Sequence, residues 1–322
     1  MDNAGELSST RKERSMLLAI LNILFLLIVP FLFIGIINRT KAFWAGRRGA
    51  PVIQPIYDFI KLINKGEVIS TTSSYIFKVY PVITYASIIF AGLLIPIISH
   101  KSVLDFKLNF ILFAYILAFG KFFALIGAMD TGSSFEGIGA SREVTFSTIA
   151  EPAFFIVIAS FVALTGNYSF NDIFLFLQKS NTFVYLITVL SAVTFFIILL
   201  VEGSRVPVDD PNTHLELTMI HEVMVLDNSG PDLAFICHGA AIKMTIFAIL
   251  IANLLLPERI GIIYSSLLLL VIISAISIVI GTIESLVARL RMTHVPQFIF
   301  ISISVSLIML SATLLFIYGG AK

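Results

Sequence analysis

Eight ionisable side chains fall within or beside long apolar stretches of this sequence: Lys121, Asp130, Glu136, Arg142, Glu143, Glu151, Glu202 and Arg205. A charge at bilayer depth is costly, so such groups face a protein interior or a wet cavity. Carboxylates held in a partly dry site can pass protons through intervening water. Lys121, Asp130, Glu143, Glu151 and Glu202 are therefore candidates for a proton or ion path reached from one side of a membrane. The competing reading is a set of ion pairs that stitch helices together, Lys121 with Asp130 or Arg142 with Glu143.

The densest chemistry lies in VEGSRVPVDDPNTHLELTMIHEVMVLDNSGPD, residues 201–232. Glu202 and Arg205 follow an apolar run that Pro207 and Pro211 prevent from continuing as helix. The adjacent carboxylates Asp209 and Asp210 precede a predicted helix over 212–225, on which His214 and His221 share a face. Two neighbouring aspartates alone lack the ligand set of a divalent metal. The five histidines are scattered without an HExxH pattern, and Cys237 is the only cysteine. One thiol cannot hold an iron–sulfur cluster or a nickel–iron centre. The sequence thus offers no catalytic or metal-ligating set, and any redox chemistry belongs to other subunits.

Those residues must be positioned by membrane helices. The chain is 58% hydrophobic and only 13% charged, against about 25% charged in soluble domains. Six charge-free segments, at 15–38, 79–100, 152–171, 180–201, 260–283 and 292–321, are each long enough to cross the hydrocarbon core. Two more, 108–129 and 233–257, are each interrupted by one lysine, Lys121 and Lys243. The fold class predicted is an all-α integral membrane protein of about eight transmembrane helices, one domain over residues 1–322. With eight spans both termini share one side. The other side, here the loop side, holds 38–75, 130–147, 202–232 and 284–291. It carries ten basic residues against eight on the terminal side, and 13 of the 20 acids. The basic bias places the loop side in the cytoplasm. Within the first loop, PVIQPIYDFIKLINKG puts Ile56, Phe59, Ile60 and Ile63 on one stripe, with Asp58, Lys61 and Lys65 off it. That pattern predicts an amphipathic helix lying at the interface. A net charge of +1 gives no field that would draw nucleic acid.

Four long stretches, GRRGAPVIQPIYDFIKL (46–62), DTGSSFEGIGASREVTFSTIAEPAF (130–154), VEGSRVPVDDPNTHLELTMIHEVMVLD (201–227) and IESLVARLRMTHVPQF (283–298), resemble one family in sequence order. It is the complex I subunit 1 family, in its branch of group 4 nickel–iron hydrogenases and formate hydrogenlyase. Glu151 matches that family's acid of the fourth-span region. Glu202, Arg205, Pro207, Asp209 and Pro211 match its E-x-x-R-x-P-x-D-x-P pattern. The continuation THLELTMIHEVMVLD is similar to the hydrogenase branch. GRRGAP stands where the quinone-linked branch has a GPN turn, and SREVTFSTIAEP replaces its SYEV-type stretch.

The resemblance implies a multi-pass subunit of the inner (cytoplasmic) membrane that binds no cofactor itself. Its expected partners are hydrogenase-like large and small peripheral subunits, which hold the nickel–iron centre and iron–sulfur clusters, antiporter-like membrane subunits, and lipid. Arg47, Arg48, Arg205, Asp209, Asp210, His214, His221 and Glu222 are assigned to the loop surface that meets the peripheral arm. Two other readings stay open from sequence. One is the quinone-site subunit of a complex I-like dehydrogenase. The other is a stand-alone secondary transporter, which would show two related halves.

Overall fold

The computed structural model describes residues 2–98, 101–178, 182–210, 219–257 and 261–319, with side chains from residue 16 onward. In hydrocarbon each backbone N–H and C=O must be satisfied within the protein, which favours helices. Among the described residues, eight helices are long and apolar enough to cross a membrane. In chain order they are α1 (Asp2–Trp44, spanning from Met16), α3 (Tyr75–Leu93), α4 (Asn109–Asp130), α5 (Ser134–Thr165), α7 (Thr182–Glu202), α8 (Gly230–Leu255), α9 (Ile262–Leu286) and α10 (Val295–Gly319). Two short helices lie outside the spans: α2 (Gln54–Ile63) in the first loop and α6 (Phe170–Leu177) on the terminal side.

The amphipathic element is where the sequence pattern places it, but its apolar residues divide between two surroundings. Phe59 packs edge-on against Phe31 of α1 at 5.3 Å, whereas Ile60 and Ile63 stay exposed, as expected of a helix lying at an interface. No residue of α2 is fully buried.

Two boundaries differ from the sequence reading. The fourth span begins at Ser134, not at 152, so Arg142, Glu143 and Glu151 sit on continuous helix rather than in or near a loop. Pro152 lies inside that helix; it has no N–H to give the carbonyl of Thr148, which therefore lacks its usual donor four residues on. The second difference concerns the helix predicted over 212–225. Residues 211–218 lie outside the described residues, and with them His214. Beyond them only Glu222–Val225 is helical, as one 3-10 turn.

α8 is the central element, with 78% of its apolar window enclosed by the bundle. Ile242, Ile246, Ile249 and Leu250 are inaccessible in its core. α5 and α7 pack against one another and against α10, while α4 lies beside α3 and α5. On the loop side the 219–225 segment presses on α5 at Gly139, where a Cβ would stand 2.8 Å from the Ile220 carbonyl oxygen. Any larger residue there would lift this segment away from the helices beneath it. The turn between α4 and α5 closes through Gly132 at φ 71°, a conformation glycine adopts without strain.

Candidate functional site

Beneath the loops, three spans bring charges to one point. Lys121 of α4 bonds both carboxylate oxygens of Glu202, at 2.7 and 2.9 Å. Lys243 of α8 reaches the same carboxylate at 3.4 Å. Ser147 of α5 donates to Glu202 at 3.2 Å and also touches the Lys121 ammonium. Lys121 lies about 18 Å from the start of its helix at Asn109, well inside the bilayer at 1.5 Å per residue. Glu202 stands at the last residue of α7, which lets one carboxylate collect cations from two neighbouring helices.

Glu143 and Glu151, each about one helical turn from Ser147 on α5 in opposite directions, act electrostatically on Lys121 without bonding it. Glu143 is buried and Glu151 is exposed on the flank of α5. The cluster thus sets two lysines against three carboxylates at membrane depth.

Three cavities meet at Glu202. One of about 210 Å³ lies between α4, α5, α7 and α8 and is lined by Lys121, Glu151 and Glu202 together with Tyr115, Phe155 and Phe247. Another, about 70 Å³, runs toward the loops past Glu143, Lys243 and His221. The third, too narrow to hold a water molecule, lies between Glu143, Ser147, Ser204 and Ile220. Open space thus flanks the ion pairs on two sides, about 210 Å³ toward the flank of α5 and about 70 Å³ toward the loops. A separate cavity of about 250 Å³ between α1, α2 and α8 is lined by Phe31, Phe59, Cys237 and His238, away from this cluster. There His238 stacks on Phe31 at 4.0 Å.

The remaining sequence candidates are placed differently. Asp130 stands apart from the cluster. Its carboxylate accepts from the backbone N–H groups of Ser74 and Phe77, at 2.7 and 3.3 Å, and so caps α3. The pairing of Lys121 with Asp130 considered from sequence does not form; Glu202 takes that lysine. Nor does Arg142 pair with Glu143 among the bonds seen. Its guanidinium donates to the Met219 carbonyl at 2.9 Å and ties α5 to the loop.

Arg205 and Asp209, assigned from sequence to the docking surface, are buried. Arg205 meets Glu284 at 3.2 Å, and Glu284 also holds Lys41 at 2.7 Å. Asp209 pairs with Arg289 at 3.1 Å and accepts from the N–H groups of Ile220 and His221. These residues are used in folding the loop. Asp210 and Glu222 are partly accessible, and Arg47 and Arg48 are exposed just after α1. His221 is partly covered and faces the cavity of Glu143 and Lys243. Among the described residues no group of three or more His, Cys, Asp or Glu is placed to hold a metal ion.

Lys243 and Ser147 are the members that sequence reasoning passed over. Lys243 carries the same signal as Lys121, a single lysine interrupting an apolar segment. Ser147 carries none.

A family model described as NADH dehydrogenase matches residues 16–314. The chain belongs to that family. Hydrogenase-4 component C of Escherichia coli is 29% identical over 73% of each chain. Formate hydrogenlyase subunit 4 of the same organism is 25% identical over 88% of this chain and 94% of its own. An NADH-quinone oxidoreductase subunit of Rickettsia africae is 26% identical over 55% of this chain and 54% of its own. Among solved structures, a chain of the membrane-bound sulfane sulfur reductase, an archaeal respiratory membrane complex, has the same fold. It superposes with a TM-score of 0.78 at 21% identity, covering 93% of this chain and 99% of that one. Within the NADH dehydrogenase family the resemblance read from the four stretches is thus upheld, and this chain is a multi-pass membrane protein of the kind found in hydrogenase and respiratory complexes.

Proposed function

We propose that this chain is the membrane anchor and ion-path subunit of a group 4 hydrogenase-type respiratory complex. It docks a peripheral arm carrying the iron–sulfur clusters and the nickel–iron centre, and couples electron transfer in that arm to proton or sodium movement. The observation that carries this reading is the Glu202 carboxylate, bonded by lysines from two different helices at the meeting point of three cavities.

Two cations on one carboxylate form a site with alternative pairings. When positive charge arrives from the loop side at Glu143, Lys121 is held less firmly toward that acid and more firmly by Glu202. When charge leaves by way of Glu151, the balance reverses. The ion pairs supply the barrier against leak, and the cavities supply the route. The loops lie on the cytoplasmic face of the cytoplasmic membrane, with Arg47, Arg48, Asp210 and Glu222 as the accessible contacts for the arm. Arg205, Asp209 and His221 shape that surface from beneath, and antiporter-like membrane subunits complete the complex.

The test is Glu151→Gln in the assembled complex. Glutamine keeps the volume and a hydrogen-bonding oxygen but no longer exchanges a proton. Electron transfer and assembly should persist while coupled ion movement is lost, read as a pH or sodium gradient across vesicles. Full pumping in that variant would remove Glu151 from the path.

A further inference from the structure

The exposed face of α5 differs from the other exposed faces of the bundle. Along α9 Ile263, Leu267, Val271 and Ile278 point outward, and along α10 Ile301, Leu307, Ile308 and Leu315 do, with Ser304 and Ser311 exposed among them and bonded to carbonyls of their own helix; neither face carries a charge at depth. Hydrocarbon tails serve such surfaces well. Along α5 Phe135 and Ile138 are exposed near the loops, and beyond them Ser141, Thr145, Thr148 and Glu151 lie exposed among Val144, Pro152 and Phe155. Small and hydroxyl-bearing residues of this kind are found where membrane helices pack on one another.

The hydroxyls alone require no partner. Ser141 and Thr145 donate back to carbonyls of their own helix, at 2.8 and 2.7 Å. Glu151 is another matter. It makes no hydrogen bond or ion pair with any described residue, and it lies about 21 Å from the helix end at Thr165, at bilayer depth. Beside it Pro152 leaves the Thr148 carbonyl without its helical donor. Two acceptors, one of them a carboxylate, thus sit side by side on a surface that lipid cannot satisfy. The adjoining cavity of about 210 Å³ reaches this flank at the exposed Tyr115 and Phe155 and leads inward to Lys121 and Glu202.

From this we infer that the outer face of α5 is the docking site for a transmembrane helix of a second membrane subunit, one that presents a lysine or arginine at the depth of Glu151. The charge on the cluster specifies the occupant. Glu143, Glu151 and Glu202 outnumber Lys121 and Lys243 by one, and the excess carboxylate on the rim is the one facing outward. A single cation from outside balances the group, donates to both free acceptors and closes the lateral mouth of the cavity. The inference deepens the ion-path reading by naming the partner chemistry at Glu151, and its docking part stands on the exposed face alone.

The experiment places a photo-crosslinking residue at Thr148, and separately at Leu267, in the complete complex in native membranes. Thr148 should yield an adduct with a membrane subunit, mapped to a spanning segment within about one helical turn of a lysine or arginine, and Leu267 should label lipid. Glu151→Lys should lower the Thr148 adduct roughly tenfold or more, and exchanging the partner's basic residue for glutamate should restore it. Lipid-only labelling at Thr148 in an intact complex overturns the inference. So does an adduct indifferent to the charge reversal. Loss of pumping in Glu151→Gln with lipid-only labelling would leave the path and remove the docking helix. A protein adduct with pumping intact would do the opposite.

Discussion

Among the described residues, buried ion pairs gather in two regions of the bundle that are built differently. At the loop-side end of the bundle, the Glu284 side chain is inaccessible and holds Lys41 and Arg205, while Asp209 holds Arg289 and three backbone N–H groups. This network welds α1, α9 and the 203–210 segment, and no cavity described above is lined by any of these five residues. Beneath the loops, Glu202 also holds two cations, but it is flanked by Glu143 and Glu151, which make no bond with any described residue, and by open cavities. On the proposed reading, identical chemistry serves as a fastener where no cavity described above reaches it, and as a place for charge to move where open space adjoins it and acids are left unbonded. Ion pairing by itself does not reveal which is which; the surroundings do.

That contrast can be broken by removing the shared carboxylate of the loop-side network. Glu284→Ala leaves Lys41 and Arg205 facing each other without an acid, which should cost about 3–5 kcal/mol. The expected result is a large loss of thermal stability in detergent and poor recovery of the complex. Asp209→Asn is milder, since one carbonyl oxygen still accepts from the loop while the Arg289 ion pair weakens. A cost of about 1–3 kcal/mol is expected, measured as a lower unfolding temperature with coupling per electron unchanged. The smallest effect sharpens the comparison from the other side. Ser147→Ala removes a hydroxyl that meets both Glu202 and the Lys121 ammonium, and with the ion pair between those two kept intact it should cost about 0.5–1.5 kcal/mol. Coupled ion movement should slow while stability barely changes, because that ion pair remains. If Ser147→Ala destabilised the chain more than Asp209→Asn, the division between fastener and path would be wrong.

Much of the architecture was legible in the sequence because lipid imposes a severe rule. A charge-free run of about 20 residues has few fates other than spanning the bilayer, so all eight spans and the amphipathic α2 could be read directly. The start of α5 was hidden. Arg142, Glu143 and Pro152 look like loop chemistry in one dimension, and only packing against α4, α7 and the 219–225 segment makes continuous helix favourable there. The site was half legible. Lys121, Glu143, Glu151 and Glu202 stand out as charges in apolar surroundings, yet which residue Lys121 bonds depends on helix neighbours far apart in the chain. Asp130, nine residues along the same helix, was the visible candidate; it caps α3 instead. Arg205 and Asp209 read as surface because loops are usually exposed, whereas here the loop folds inward on its own ion pairs. Nothing in the one-dimensional pattern separates those cases.

The most direct measurement compares Glu202→Gln with the parent complex in sealed vesicles, recording ions moved per electron pair alongside the rate of electron transfer. Glutamine keeps the shape and a hydrogen bond to Lys121 but removes the charge that two lysines share. Electron transfer should continue while ion movement falls roughly tenfold or more, the scale of losing charge-assisted hydrogen bonds at a buried carboxylate. A variant that moves ions at the parental ratio would show that the charge does not pass through Glu202, and the cluster would then be a second fastener.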